Sequence, residues 1–164
     1  MDDRRKGNKK SIRNKTTTEK VFLDTLWNYV HSFGRACDFI GKNFGDQALR
    51  QFFIERGRER KLPRLKEAVK HDGREFMKSL CQGMNRCGSE FTLEENDKEI
   101  IVRGTCNTGG RYVREEQGAC NGNGIPYYCV HCSIWWDELP SEIGFKLTFH
   151  MGDKGIGCAW RLEK

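Results

Sequence analysis

The strongest chemical signal in this sequence is a short segment with two cysteines, YYCVHCSIWWDEL. Cys129 and Cys132 are three residues apart, so on a helix they lie one turn apart on the same face. Thiols at this spacing can bind a metal, attack a substrate, form a disulfide or simply fill a core. The disulfide interpretation ranks last, because no strand–helix–strand pattern precedes the motif. His131 points to another helical face and is expected to be exposed.

The sequence contains eight cysteines, a density that indicates metal or thiol chemistry in a reducing compartment. Zinc takes four thiolate ligands and an iron–sulfur cluster also takes four, so either cofactor fits. The expected metal ligands are Cys87, Cys106, Cys129, Cys132 and Cys158. The alternative for all five is core packing, since free cysteine behaves as a small hydrophobic residue. Cys37 and Cys81 are expected in the core, and Cys120 is expected to be an exposed bystander.

Apolar residues recur every three or four positions through the first half of the chain, which predicts helices. The first is expected to begin at Thr16, in a capping-box pattern, and to end at Gly41 and Gly45. A second is predicted over residues 46–60. A third is predicted over residues 63–84, because its proline suits a first helical turn.

Two later stretches alternate apolar and polar residues, and each predicts a β-hairpin. The first, EFTLEENDKEIIVRGTC, turns at ENDK, and its continued register brings Cys87 opposite Cys106 on the core side. The second, FKLTFHMGDKGIGCAWRLE, turns at GDKG. In this hairpin Cys158 is expected opposite Phe149, also facing inward.

These elements predict an α+β fold in which N-terminal helices pack on an antiparallel sheet built from two hairpins, with a short cysteine-bearing helix between them. One domain over residues 16–164 is expected. The short helix begins after Pro126, so Cys129 and Cys132 lie near its N-terminus, where the helix dipole stabilises a thiolate. These two cysteines are therefore the candidate catalytic residues. Sulfurs from both hairpins would converge on them.

The sequence CNTGGRY, predicted to be a loop after the first hairpin, is the candidate site for a small acid. A di-glycine turn can offer backbone amides to an anion, and Arg111 can bind a carboxylate with two parallel donors. The alternative is a flexible turn that needs glycine for positive φ. Tryptophans would add an aromatic wall, unless they only pack in the core. The candidate ligand-binding residues are Asn107, Gly109, Gly110, Arg111, Trp135 and Trp160.

Positive charge is concentrated at the N-terminus, where residues 1–20 hold eight Lys or Arg against three Asp or Glu. Residues 1–15 are expected to be a disordered basic tail that serves solubility, with electrostatic tethering to nucleic acid or an anionic surface as the alternative. The remainder is nearly neutral, so a nucleic-acid partner is not expected. No leader pattern and no run of about 18 apolar residues is present, which predicts a cytoplasmic protein without a membrane partner.

The C-terminal half, from the two-cysteine segment to the final GCAWRLEK, resembles the L-2-amino-thiazoline-4-carboxylic acid hydrolase-like proteins. It resembles the 4-vinyl-reductase-type small-molecule-binding domains more distantly. In these groups a cysteine precedes alternating aromatic and basic residues in the last strand, as Cys158, Trp160 and Arg161 do here. A cysteine-containing segment comes before it, matched by Cys129 and Cys132. The resemblance implies an α+β fold with an intracellular site for a small organic acid or apolar ligand.

Two kinds of function remain open at this point. In the first, a cysteine-bound metal or an activated cysteine acts on a small heterocyclic or thioester-like substrate, in a hydrolase-like reaction, while Arg111 orients the acid. In the second, the protein is a non-enzymatic module with a structural zinc or iron–sulfur site, or a sensor for a small ligand.

Overall fold

A computed structural model of the chain describes residues 17–70 and 72–164. Helices occupy most of residues 17–86, and two hairpins separated by shorter helices form a four-stranded antiparallel sheet. This is the α+β fold that the change of hydrophobic period predicts. The basic tail and the predicted cap at Thr16 lie outside the described residues. Within the described ranges, no helix combines the length and the apolar character needed to cross a membrane.

The first helix, α1 (Thr17–Arg60), is interrupted at Gly45, where φ is 82° and ψ is 172°. This backbone conformation is essentially restricted to glycine, so the predicted break at Gly45 is confirmed. Gly41 was also predicted to end the helix, but it lies inside α1. A Cβ atom on Gly41 would be 2.4 Å from the ring of Tyr127. Gly41 therefore allows the cysteine-bearing segment to pack closely on α1.

The helix predicted over residues 63–84 is two helices, α2 (Leu62–Lys70) and α3 (Gly73–Arg86). The side chain of Asp72 accepts a hydrogen bond from the backbone N–H of Arg74 at 2.8 Å and caps α3. Such a cap satisfies a backbone donor at a helix start and favours a new helix at this position. The spacing of apolar residues alone does not reveal the interruption.

The four strands form one sheet in the order β1, β2, β4, β3. They are β1 (Glu90–Glu95), β2 (Glu99–Thr105), β3 (Leu147–His150) and β4 (Ile156–Glu163). Phe149 pairs with Trp160, whereas the sequence predicted Cys158 as its partner. Cys158 instead lies opposite Gly104 of β2. The observed register differs from the predicted one by two residues, so each side chain keeps its predicted face of the sheet. Cys158 is accordingly only 5% exposed.

The predicted pairing of Cys87 with Cys106 across the first hairpin is wrong. Cys87 lies outside β1, at the C-terminal cap of α3. The reason is the conformation of the turn, in which Asn96 Oδ1 accepts hydrogen bonds from the backbone N–H groups of Lys98 and Glu99. This turn shifts the register of the two strands from the predicted one. The two thiols still interact electrostatically: burial raises the pKa of Cys87, and the charge of Cys106 raises it further.

Between the hairpins the chain is mostly helical. The predicted CNTGGRY loop contains a helix instead, α4 (Gly109–Glu115). The cysteine-bearing helix is confirmed, and it begins as a 3-10 turn and includes a π-helical turn, an irregularity frequent at functional sites. Its successive parts are the 3-10 turn (Tyr127–Cys129), α5 (Val130–Ser133), the π turn (Ile134–Glu138) and α6 (Leu139–Ser141).

Candidate functional site

Four cysteines from three separate parts of the chain interact electrostatically near the end of β2. Cys106 follows β2, and its backbone N–H donates to the carbonyl of Gly155 at 2.8 Å, just before β4. Cys158 lies in β4, whereas Cys129 and Cys132 come from the helical segment between the hairpins. The charges of the other three all raise the pKa of the Cys132 thiol, so the four sulfurs are electrostatic neighbours. We call them the thiol cluster. It contains four of the five predicted metal ligands, and Cys87 interacts with it through Cys106.

Burial is the main cause of the raised pKa values of Cys129, Cys132 and Cys158. Burial raises the pKa of Cys132 well above its usual value, and the neighbouring sulfurs raise it further. Burial likewise raises the pKa of Cys129 and Cys158. The sequence predicted the opposite effect, a thiolate stabilised by the helix N-terminus. That prediction is wrong, because desolvation exceeds the effect of a helix of four residues.

Backbone N–H groups point at two of the sulfurs. Gly110 donates to Cys106 Sγ at 3.5 Å, and Gly152 donates to Cys158 Sγ at 3.4 Å. Thr108 Oγ1 is 3.2 Å from Cys106 Sγ. The Gly152 hydrogen bond lowers the pKa of Cys158, opposing part of the effect of burial. Hydrogen bonds to sulfur stabilise metal-bound thiolates, so these contacts suit a metal-ligand environment.

His131 is not the exposed histidine that the helical spacing predicted. Its side chain is half-buried, with Nδ1 hydrogen-bonded to the carbonyl of Tyr128 and Nε2 3.4 Å from Cys132 Sγ. Burial lowers the pKa of His131 to about 4, so the imidazole is neutral at physiological pH. The first turn of this segment is a 3-10 turn, which changes the directions of its side chains from those of a regular α-helix.

Lys61 is a residue of the site that sequence reasoning missed. Its Nζ lies 4.8 Å from the ring centroid of Trp136 and 5.1 Å from that of Trp135, within cation–π distance of both. Burial lowers the pKa of Lys61, whereas the negative charge that Cys132 carries as a thiolate raises it. Trp135 is held by a hydrogen bond from Nε1 to the carbonyl of Phe53 at 2.8 Å. Nothing in the sequence distinguishes Lys61 from the other basic residues.

The predicted acid-binding residues do not form one pocket. Arg111 Nε donates to Glu115 at 2.8 Å, and its guanidinium lies 4.1 Å from the ring centroid of Trp27. The residue borders a groove of about 470 Å³ between α1 and α4, together with Asn107. Trp160 is 2% exposed and lies in the core. The ring centroid of Trp135 lies 4.7 Å from that of His131, beside Cys132.

Gly109 and Gly110 have steric roles within α4. A Cβ atom on Gly109 would lie 1.9 Å from the ring of Tyr128, and one on Gly110 would lie 2.9 Å from Gly155 Cα. Glycine therefore lets α4 approach both the cysteine-bearing segment and the turn before β4. The N–H of Gly110 is engaged with Cys106 Sγ. The predicted turn with several free amides is thus replaced by a closely packed helix start.

The donor set suits a thiophilic metal, because sulfur and imidazole nitrogen are the preferred ligands of zinc. Across residues 17–70 and 72–164, no three His, Cys, Asp or Glu side chains lie close enough together to hold one ion.

In comparisons with known proteins, no family model matches the chain, and neither a curated protein nor a solved structure matches it. The likeness to the aminothiazoline-carboxylate hydrolase-like proteins therefore stays a prediction from the residues of the C-terminal half.

Proposed function

We propose that this protein binds a thiophilic metal ion at the thiol cluster. The observation that carries the proposal is the electrostatic effect of Cys129, Cys106 and Cys158 on the Cys132 thiol, since the four sulfurs come from three distant segments and repel one another as thiolates. A divalent cation turns that repulsion into attraction and deprotonates the thiols that it binds. Zinc is preferred to an iron–sulfur cluster, because the nitrogen of His131 lies beside Cys132 Sγ and mixed nitrogen and sulfur ligands are typical of zinc.

The metal site serves a small organic acid. Positive charge near the cluster supports this part of the proposal, because Lys61 lies over two indole rings, interacts electrostatically with Cys132 and has no carboxylate partner among the ion pairs of the described residues. A partly desolvated ammonium favours an anion nearby. If the metal keeps one coordination position open, it can polarise the bound acid in a hydrolase-like reaction, whereas a fully ligated metal makes the protein a binding or sensor module.

Metal and sulfide analysis of the full chain, purified without oxygen, tests the metal proposal. We expect one zinc per chain and no sulfide, whereas iron with sulfide would assign a cluster to the same thiols. Cys132→Ser should lose the metal. The matched control is Cys81→Ser, since Cys81 is buried and its thiol donates to the carbonyl of Phe91, away from the cluster. Equal metal content in wild type, both variants and Cys158→Ser would end the proposal.

A second candidate function is thiol catalysis by Cys132, which its contact with His131 favours. The imidazole Nε2 lies 3.4 Å from the sulfur, and its Nδ1 is oriented by the carbonyl of Tyr128. The thiol of Cys132 would be the nucleophile and His131 its base, and the carbonyl of Tyr128 orients that base. The sulfur would attack an acyl carbon, its proton would pass to Nε2 and on to the leaving group, and water would hydrolyse the acyl-enzyme. A small thioester should then leave an acyl adduct on Cys132 by mass spectrometry, and none in His131→Gln.

A further inference from the structure

We propose that two copies of this chain pair through the outer face of α1, as an antiparallel two-fold dimer. This face is a row of eight solvent-exposed residues at alternating steps of four and three along the helix. We call it the α1 stripe, and its members are Thr18, Phe22, Thr25, Tyr29, Ser32, Ala36, Phe39 and Asn43. The inference goes beyond the proposed metal and acid binding and does not depend on it.

The α1 stripe has the pattern of a helix–helix interface. Alternating steps of four and three give the seven-residue repeat of helices that pack side by side in a coiled coil. The repeat covers about 40 Å of helix without one Asp, Glu, Lys or Arg, although a solvated helix face normally carries charges. Three aromatic rings are left open to solvent on it, because Phe22 is 50% exposed, Tyr29 is 59% exposed and Phe39 is 60% exposed.

The order of large and small residues fits a second copy that runs in the opposite direction. One register of such a pair brings together Phe22 and the partner's Phe39, Thr25 and the partner's Ala36, and Tyr29 and the partner's Ser32. Two-fold symmetry repeats each contact, so the central layers combine a large residue with a small one. A shift by one heptad loses the aromatic pair, since it places Phe22 opposite Asp46 of the partner subunit or leaves Phe39 with no position of α1 opposite it.

Charge favours the antiparallel pair over a parallel one. The residues that flank the α1 stripe on one side are Val21, Asn28, Arg35 and Lys42. In the antiparallel register Arg35 faces the partner's Asn28 and Lys42 faces the partner's Val21, so like charges do not meet there. A parallel pair would instead bring together two copies of residues 1–16, which hold seven Lys or Arg against two Asp. The antiparallel pair separates them by more than the screening length of about 10 Å.

The exposed area is sufficient for a stable dimer. An aromatic side chain has about 150–250 Å² of surface, so each of the three rings leaves about 100 Å² to be covered. Val21 is 60% exposed and Phe44 is 65% exposed, and the Phe44 ring centroid lies 5.9 Å from that of Phe39. These two residues bring the exposed apolar area to about 500 Å². The smaller residues of the α1 stripe raise the total toward the about 800 Å² per partner of a standard interface.

The polar members of the α1 stripe favour a protein partner over a lipid surface. A helix that lies on a membrane presents a continuous apolar face to the acyl chains. Thr25, Ser32 and Asn43 interrupt that face here, whereas a second helix can accept small polar residues between aromatic ones.

Sedimentation equilibrium of the full chain tests the dimer and its register. We expect twice the chain mass of 19.1 kDa for the wild type. Thr25→Lys and Ala36→Glu should each raise the dissociation constant by at least about tenfold, because each places an unpaired charge in the interface. The double variant should recover most of the lost affinity, since its two opposite charges face each other across the antiparallel pair. In a parallel dimer the double variant would be the weakest, because like charges would meet.

Both positions are exposed in the single chain, so the circular dichroism and the urea midpoint of the variants should match the wild type. The matched control is Val69→Glu on α2, which changes another exposed apolar residue and should leave the dimer intact. A monomeric wild type, a dimer that Thr25→Lys leaves unchanged, or a double variant no tighter than the single ones would overturn the proposal. A monomer that binds vesicles of phosphatidylserine and phosphatidylcholine, and loses this binding in Phe22→Glu, would assign the α1 stripe to a lipid surface instead.

Discussion

Replacing Gly109 by alanine should destabilise the fold, because the site segment packs directly against this residue. The new Cβ would lie 1.9 Å, 2.4 Å and 2.8 Å from three ring atoms of Tyr128. Contacts below 3.0 Å force a displacement. The Tyr128 ring has no easy way to move, because the rings of His131, Phe33 and Tyr112 lie within 5.2–5.7 Å of it.

The size of the effect follows from two opposing contributions. Overpacking a core costs about 1–3 kcal/mol, and the upper end applies to Gly109, since both sides of the contact are confined. Alanine in a helix gains about 0.5–1 kcal/mol over glycine. The free energy of unfolding should therefore fall by about 2 kcal/mol. With a urea m-value of about 2 kcal/mol/M, the unfolding midpoint should fall by about 1 M.

Urea unfolding followed by tryptophan fluorescence measures this midpoint. The matched control is Gly83→Ala in α3, where no neighbouring atom lies within 4 Å of the added Cβ. This control should raise the free energy of unfolding by about 0.5–1 kcal/mol. If Gly109→Ala unfolds within about 0.25 M of the wild-type midpoint, the steric reasoning is wrong. A loss of ligand binding with unchanged stability would instead favour the anion-binding turn predicted from the sequence.

Three further outcomes are expected. Gly45→Ala should lower the free energy of unfolding in urea by about 1–3 kcal/mol, because φ is 82° there, and an unchanged or higher free energy of unfolding would contradict the strain. In metal-free protein, burial lowers the pKa of His131 to about 4, so the unfolded state binds its proton first. Stability is fully present above pH 6.5 and falls toward pH 4, by about 3 kcal/mol in all, and His131→Gln should remove this slope in unfolding measured across the range. Lys61→Met should weaken calorimetric binding of 2-amino-thiazoline-4-carboxylic acid about tenfold, the loss of one charge-assisted hydrogen bond, and Lys61→Arg should not. If only Arg111→Ala weakens binding of the acid, the acid binds in the groove between α1 and α4 instead.

The elements could be predicted because their signals are local. Helical spacing, alternation and turn residues gave the fold class, the inward face of Cys158 and the helix that carries Cys129 and Cys132. The register was missed by two residues, but the face of each side chain survived because strand side chains alternate with period two. The break before α3 was missed, since the side-chain cap of Asp72 is one residue among several polar ones.

The sequence by itself determined which residues could do chemistry, namely a group of thiols with a paired C-x-x-C helix among them. Only the tertiary structure decided their surroundings: it buried Cys129 and Cys158, turned His131 toward Cys132 and placed Lys61 over the two indoles. It also converted the glycines near Cys106 from a free turn into a packing contact with Tyr128. Burial, side-chain direction and close approach depend on segments far apart in the chain, and no local pattern contains them.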